Sequence, residues 1–143
     1  MLVFASCGPE HPPAAPVASD PDAALVHTWK IADHVLAPST TLTERDATEL
    51  HGREVDLRAG TYVTPWQGSC DDVGRQRRAR VLADVALELT VDRAALVRFG
   101  LGNDLVEYRL TCNGSPRTPP LLLFVAGTRA LTCFAGACYL LTH

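Results

Sequence analysis

Lysine is nearly absent from this chain, and so are long apolar runs. Arginine supplies every one of the 13 cationic residues except Lys30. No stretch approaches the roughly 18 consecutive apolar residues of a transmembrane helix, so we expect no part of the body to cross a bilayer. The net charge of −3 also argues against the basic balance that is typical of nucleic-acid-binding proteins.

Motifs that would identify a reaction are missing as well. The chain has no G-x-S-x-G nucleophile elbow, no phosphate-binding glycine loop and no C-x-x-C pair. Glu54 and Asp56 share one face of a predicted strand and have the chemistry of an acid–base pair, but such exposed positions are usually solvated. We therefore favour a non-enzymatic binding or interaction module, with an envelope hydrolase as the alternative.

The composition is that of one folded domain. With 143 residues, of which 47% are hydrophobic and 20% charged, the chain can bury a core of its own. The 10 prolines and 10 glycines do not make it disordered, because the apolar fraction is too high.

The N-terminal residues carry a specific local pattern. A short apolar run is followed by Phe4-Ala5-Ser6-Cys7-Gly8. These residues resemble the lipobox of bacterial lipoproteins, in which small residues precede the cysteine that is lipidated. The resemblance implies acylation at Cys7 and anchoring at the periplasmic face of the outer membrane. The charged start and most of the apolar segment of a signal peptide are lacking, so we expect the natural signal to begin upstream.

The next segment has the composition of a tether. Residues 8–23 are rich in proline, alanine and polar residues and show no apolar period. Proline fixes φ and removes a backbone donor, so neither a helix nor a strand ladder can run through such a stretch. We expect a signal remnant over residues 1–7, a tether over 8–23 and one globular domain over 24–143.

Five cysteines fit export to an oxidising compartment. Acylation of Cys7 leaves an even number, Cys70, Cys112, Cys133 and Cys138, which predicts two disulfides. The last two flank a predicted hairpin turn, so we favour Cys133–Cys138 and Cys70–Cys112. Pairing Cys112 with Cys133 and Cys70 with Cys138 is the alternative. In the loop-entropy treatment the long-range Cys70–Cys112 bridge contributes about 3–4 kcal/mol.

Apolar alternation predicts a mainly β fold of the α+β class. Strands are expected over residues 25–32, 53–57, 61–63 and 105–112 and in three further segments between 121 and 142, with short helices over 44–50 and 91–99. Residues 77–90 fit both a strand and a helix, and the strand is favoured. The last four strands form an antiparallel meander. The expected architecture is a curled antiparallel sheet or small β-barrel with one or two short helices.

The candidate contact residues are an aromatic loop and a basic cluster. Tyr62 and Trp66 belong to residue types that are favoured at interfaces. Arg75, Arg77, Arg78 and Arg80 lie close together in sequence and suit an anionic envelope partner, although pairing with nearby aspartates is the simpler interpretation. The five histidines (His11, His27, His34, His51 and His143) show no ligand spacing, so we expect no metal and no cofactor.

The predicted partners are the membrane, through Cys7, and an envelope protein or a small apolar ligand. In size, acylation and disulfide-closed barrel form the chain also resembles bacterial lysozyme-inhibitor lipoproteins. That resemblance would imply a protein partner, but the inhibitory-loop motif of that family is not recognisable here.

Overall fold

A computed structural model describes residues 22–143. Cys7, the signal remnant and most of the predicted tether lie outside the described residues. Asp22 already belongs to the fold, because its backbone carbonyl accepts hydrogen bonds from the amides of Leu25 and Val26. Its carboxylate also pairs with Arg75 at 3.0 Å. The folded body therefore includes at least two residues of the segment that we assigned to the tether.

Nine strands and three short helices make up the described chain. In order they are β1 (Thr28–Leu36), α1 (Glu44–Thr48), β2 (Glu54–Leu57), β3 (Tyr62–Thr64), β4 (Gly68–Cys70), β5 (Val73–Val81), α2 (Leu82–Leu89), α3 (Arg93–Arg98), β6 (Asp104–Cys112), β7 (Leu121–Ala126), β8 (Arg129–Phe134) and β9 (Ala137–Thr142). The predicted mainly β class is confirmed. Strand β4 was not predicted, because residues 65–70 have the composition of a loop.

The strands form one antiparallel sheet that curls into a nearly closed barrel. Their order is β4-β3-β2-β1-β9-β8-β7-β6-β5, so the two edge strands follow one another in the chain. The Val73 amide donates to the Gly60 carbonyl at 3.2 Å, and Asn113 donates to Asp72 at 2.9 Å. The Cys70–Cys112 disulfide joins β4 to the end of β6, with the Cα atoms 5.8 Å apart. The edge strands β4 and β5 are therefore kept close together by the short connection between them, by these hydrogen bonds and by the disulfide.

The barrel interior is an apolar core drawn from eight of the nine strands. Trp29, Val55, Tyr62, Leu123 and Tyr139 are among its fully buried side chains. Alternation along each strand places every second residue inward. The Trp29 indole N–H donates to the Leu25 carbonyl at 3.0 Å, so burial of this polar atom costs no lost hydrogen bond.

A second core lies on the outer face of the meander, beneath α2 and α3. Phe124, Leu131 and Leu140 face outward from β7, β8 and β9 and pack with Leu82 and Leu96 of the helices. Strand β7 is therefore covered on both faces, as its unbroken apolar run predicts.

The predicted strand over residues 77–90 is wrong from residue 82 onward. Strand β5 ends at Val81 and α2 begins at Leu82. Leu82, Val85 and Ala86 are buried, whereas Leu87, which the strand alternation placed inward, is 82% exposed. Spacing of i, i+3 and i+4 lets a helix cover the outer core with one face. Residues 82–89 therefore form a helix rather than a strand, because the helical spacing lets them pack on the outer core of β7–β9.

The β8–β9 hairpin turns through Ala135 and Gly136, which both have positive φ, at 53° and 82°. A Cβ on Gly136 would lie 2.8 Å from the Cβ of Thr40, so glycine is required for space as well as for conformation. The Thr40 hydroxyl donates to the Ala135 carbonyl at 2.7 Å. Below the turn, the Cys133–Cys138 disulfide spans facing residues. Both disulfides match the pairing that the sequence favoured.

Helix α1 begins with a capping box. The Thr43 hydroxyl accepts from the Asp46 amide at 3.1 Å, and the Asp46 carboxylate accepts from the Thr43 amide at 3.0 Å. This reciprocal cap fixes the first turn and sets the position of Glu44, the first helical residue. Within residues 22–143, no helix has the length and apolar character needed to span a membrane.

Candidate functional site: an apolar groove and a histidine cluster

A concave groove of about 970 Å³ lies at the end of the barrel where three connections meet. These are the β3–β4 turn, the long loop between β6 and β7, and the β8–β9 turn. Its walls are mostly apolar and include Trp66, Leu122, Phe124 and Phe134, together with the proline-rich loop of residues 113–120. This size and lining are typical of small-molecule sites.

Three aromatic rings stand nearly parallel beside the groove. The ring centroids of Trp66 and Phe134 are 5.8 Å apart with planes inclined by 20°, and those of Trp66 and Tyr139 are 6.0 Å apart at 17°. Phe134 is 40% exposed although it is a large apolar residue. The exposed face of this ring offers stacking area that no described residue covers.

Few polar groups accompany this apolar surface. The Gln67 side-chain amide donates to the Pro119 carbonyl at 3.1 Å and ties the proline-rich loop to the β3–β4 turn. Its Oε1 atom is buried and has no hydrogen-bond partner among the described residues. An unsatisfied buried acceptor is costly, and this one has no exposed surface through which a ligand in the groove could reach it. Arg117 is the one charged residue among those that line the groove.

The structure places the two predicted aromatic contact residues differently. Trp66 lines the groove. Tyr62 is only 1% exposed and belongs to the barrel core, because strand alternation turns its ring inward. Its side chain has no surface with which to contact a partner, so this candidate is corrected. Burial also raises the pKa of the Tyr62 phenol.

The predicted basic cluster is largely neutralised by carboxylates. Arg75 pairs with Asp22, and its side chain is 16% exposed. Arg78 pairs with Glu107 at 2.5 Å. Arg80 pairs with Glu107 at 2.7 Å and also with Glu88. The acids that pair with these arginines come from other elements rather than from the neighbouring aspartates that we expected.

Glu107 is the centre of this network and is 6% exposed. Desolvation raises the pKa of its carboxyl, but hydrogen bonds and charge from Arg78 and Arg80 outweigh that effect and lower the pKa overall. Arg77 is exposed and lines a second concavity of about 580 Å³ with Arg78 and Arg109. Glu88 and Glu107 line the same concavity, so the arginines do not form a purely basic surface.

Two histidines that the sequence gave no reason to combine lie together beside α1. His34 is near the end of β1, and His51 lies three residues after the end of α1. The Nδ1 atom of His34 is 2.8 Å from Nε2 of His51. The other ring nitrogen of His34 is 2.5 Å from a carboxylate oxygen of Glu44. Ligand atoms of Asp33, His34 and His51 all lie within 4.8 Å of one another, so these three are the described residues that can hold a metal ion.

A second histidine pair has a different environment. His27 and His143 stack with centroids 3.6 Å apart, and Trp29 meets the His143 ring edge-on at 4.5 Å. Desolvation and the neighbouring His27 lower the pKa of His143. This pair packs ring against ring, so it provides an internal contrast to the hydrogen-bonded pair of His34 and His51.

Comparison of the chain with protein-family models, with curated proteins and with solved structures finds no match.

Proposed function

We propose that this protein is a lipid-anchored binding protein of the bacterial cell envelope that holds a small apolar, aromatic ligand in the groove beside Trp66. The observation that carries the proposal is the groove itself. Its walls are mainly rings, aliphatic side chains and prolines, and its volume of about 970 Å³ falls in the range of small-molecule sites.

The chemistry of the lining favours one kind of occupant. Near-parallel rings at Trp66 and Phe134 suit a flat aromatic molecule, because offset stacking adds about 0.5–1.5 kcal/mol to the burial of apolar area. A highly charged ligand would find only Arg117 as a counter-ion in the lining.

The envelope location rests on the cysteines. The resemblance of residues 4–7 to a lipobox supports acylation of Cys7, and the remaining four cysteines pair within the fold. Structural disulfides persist in oxidising compartments, which supports an exported protein. Intact-mass analysis of native material should show a lipid on Cys7 and no free thiol. Five free, unmodified thiols would exclude this location.

Binding can be tested with N-phenyl-1-naphthylamine, a fluorescent apolar amine with one N–H donor. We expect saturable binding at one site per chain, with fluorescence transfer from tryptophan to the probe. Phe134→Ser removes a half-exposed ring from the groove and should weaken binding about 10-fold or more, as expected from the lost stacking and apolar area.

The matched control is Leu87→Ser, which removes an apolar side chain that is 82% exposed and lies outside the groove. This variant should bind as the wild type does. Circular dichroism of both variants checks that each is folded. The proposal is wrong if the wild type does not bind the probe, or if the two substitutions weaken binding equally.

A further inference from the structure

We propose that Asp33, His34 and His51 form a binding site for one divalent transition-metal ion of the zinc class, with Glu44 orienting His34 from outside the coordination sphere. This site is separate from the groove, and its existence does not depend on the proposed function.

The geometry of the two imidazoles is close to that of a ligand pair. His34 Nδ1 and His51 Nε2 are 2.8 Å apart. Two nitrogens that each lie 2.0–2.1 Å from a tetrahedral ion stand about 3.3 Å apart. Small rotations of the two rings would therefore admit an ion between them. In its absence the two nitrogens share a hydrogen bond that an ion would replace.

Glu44 is placed to orient the ligand His34 without binding the ion itself. It contacts the Nε2 atom of His34, so the ring can donate its N–H there and keep the Nδ1 lone pair for an ion. Metal-bound histidines usually donate their second ring N–H to a carboxylate or carbonyl in this manner. The side chain of His34 is 7% exposed, which restricts ring motion.

The local fold brings the ligands together from two points of the chain, at the end of β1 and after α1, and places Glu44 beside them. A register shift in the β1–β9 pairing between Ile31 and Asp33 marks an irregularity just before the ligands. Asp33 accepts a hydrogen bond from the His34 amide at 2.8 Å, which holds its carboxylate near the ring. Helix α1 then returns the chain, and the His51 amide bonds to the Thr48 carbonyl at 3.0 Å. The Thr43–Asp46 capping box fixes Glu44 within the same turn.

The donor set favours transition metals over alkaline-earth ions. Two imidazoles and one carboxylate suit Zn²⁺, Cu²⁺ or Ni²⁺, whereas Ca²⁺ requires six to eight oxygen ligands. Three protein ligands leave at least one position for water. Asp33 is exposed, so the site is open to solvent and the ion should exchange.

The test is calorimetric titration of ZnCl₂ into the metal-free chain carrying Cys7→Ser, because the Cys7 thiolate could bind zinc itself. We expect one zinc ion per chain and no competition by Ca²⁺ or Mg²⁺. His34→Gln and His51→Gln should each abolish measurable binding. Glu44→Gln should reduce the affinity about 10-fold, the lower end of the effect of removing an outer partner.

His143→Gln is the matched control, because it removes one ring from the stacked pair and leaves the proposed site intact. It should bind zinc as the parent does. Proton NMR of the parent adds a readout that needs no ligand substitution. The ring signals of His34 and His51 should move or broaden on addition of zinc, while those of His27 and His143 stay in place.

The proposal is overturned if no zinc binds, if His34→Gln and His51→Gln retain the parental affinity, or if His143→Gln lowers it equally. Movement of the His11 ring signals alone would assign the ion to the N-terminal segment and would likewise overturn it.

Discussion

The arginine–glutamate network on the outer face and the histidine cluster beside α1 are both polar, but they differ in what is left for a ligand. Glu107 accepts hydrogen bonds from Arg78 at both oxygens and from Arg80 at Oε1, so its charge is already compensated. In the histidine cluster, two ring nitrogens contact one another, and an ion can replace that bond. The run of arginines in the sequence indicated the arginine–glutamate network, whose charges are already paired. The histidine cluster had no such signal in the sequence, yet it is the one that retains nitrogens able to bind an ion.

The largest effect should follow removal of the network's centre. Glu107→Ala takes away the carboxylate that faces Arg80, whose side chain is 12% exposed. Breaking a buried pair is strongly destabilising, and Arg80 would keep only its pair with the more exposed Glu88, so we expect a loss of about 3 kcal/mol in the free energy of unfolding. Urea denaturation at neutral pH measures this loss.

Asp104→Ala is the control for that variant, because Asp104 is an exposed acid on the same strand, β6. It should change the free energy of unfolding by no more than about 0.5 kcal/mol. Equal losses in the two variants would contradict a specific role for the network.

Much of the fold is predictable because apolar alternation is a local property. Strands β6 to β9, the Thr43 cap and the Cys133–Cys138 pair follow from residue types at short spacing, and the long-range pair of Cys70 and Cys112 then follows by elimination. Residues 82–89 could not be assigned in this way, because Val85 and Leu89 fit both periods and the choice depends on the outer core formed by Phe124, Leu131 and Leu140.

The candidate sites were harder to predict because they combine distant segments. His34 and His51 are 17 residues apart, and only the return of the chain through α1 brings them together. The groove similarly joins Trp66 to Phe134 across the barrel end. Tyr62 and Trp66 show the opposite case. They are close in sequence, which suggested one contact surface, but strand alternation turns Tyr62 into the core.

Lowering the pH should have an intermediate effect on the free energy of unfolding. The pKa of Glu107 is lowered in the folded state, so the stabilisation is fully present above the unfolded carboxyl pKa of about 4.3. It is lost as the pH falls through the lower, folded value. We expect the free energy of unfolding to decline below about pH 4, measured by urea denaturation from pH 7 to pH 3. In Glu107→Gln this part of the decline should be absent, and an unchanged pH profile would contradict the assignment.

The smallest effect should be seen in the metal-free histidine cluster. His51→Gln removes a ring that is partly exposed and hydrogen-bonded to only one described neighbour, so the free energy of unfolding in the presence of chelator should change by no more than about 1 kcal/mol. Adding zinc should stabilise the parent and leave His51→Gln unchanged, because a ligand that binds only the native state raises its stability. Thermal denaturation with and without zinc measures both quantities. A large loss in chelator would instead make this cluster a structural element like the arginine network, and the contrast between the two regions would disappear.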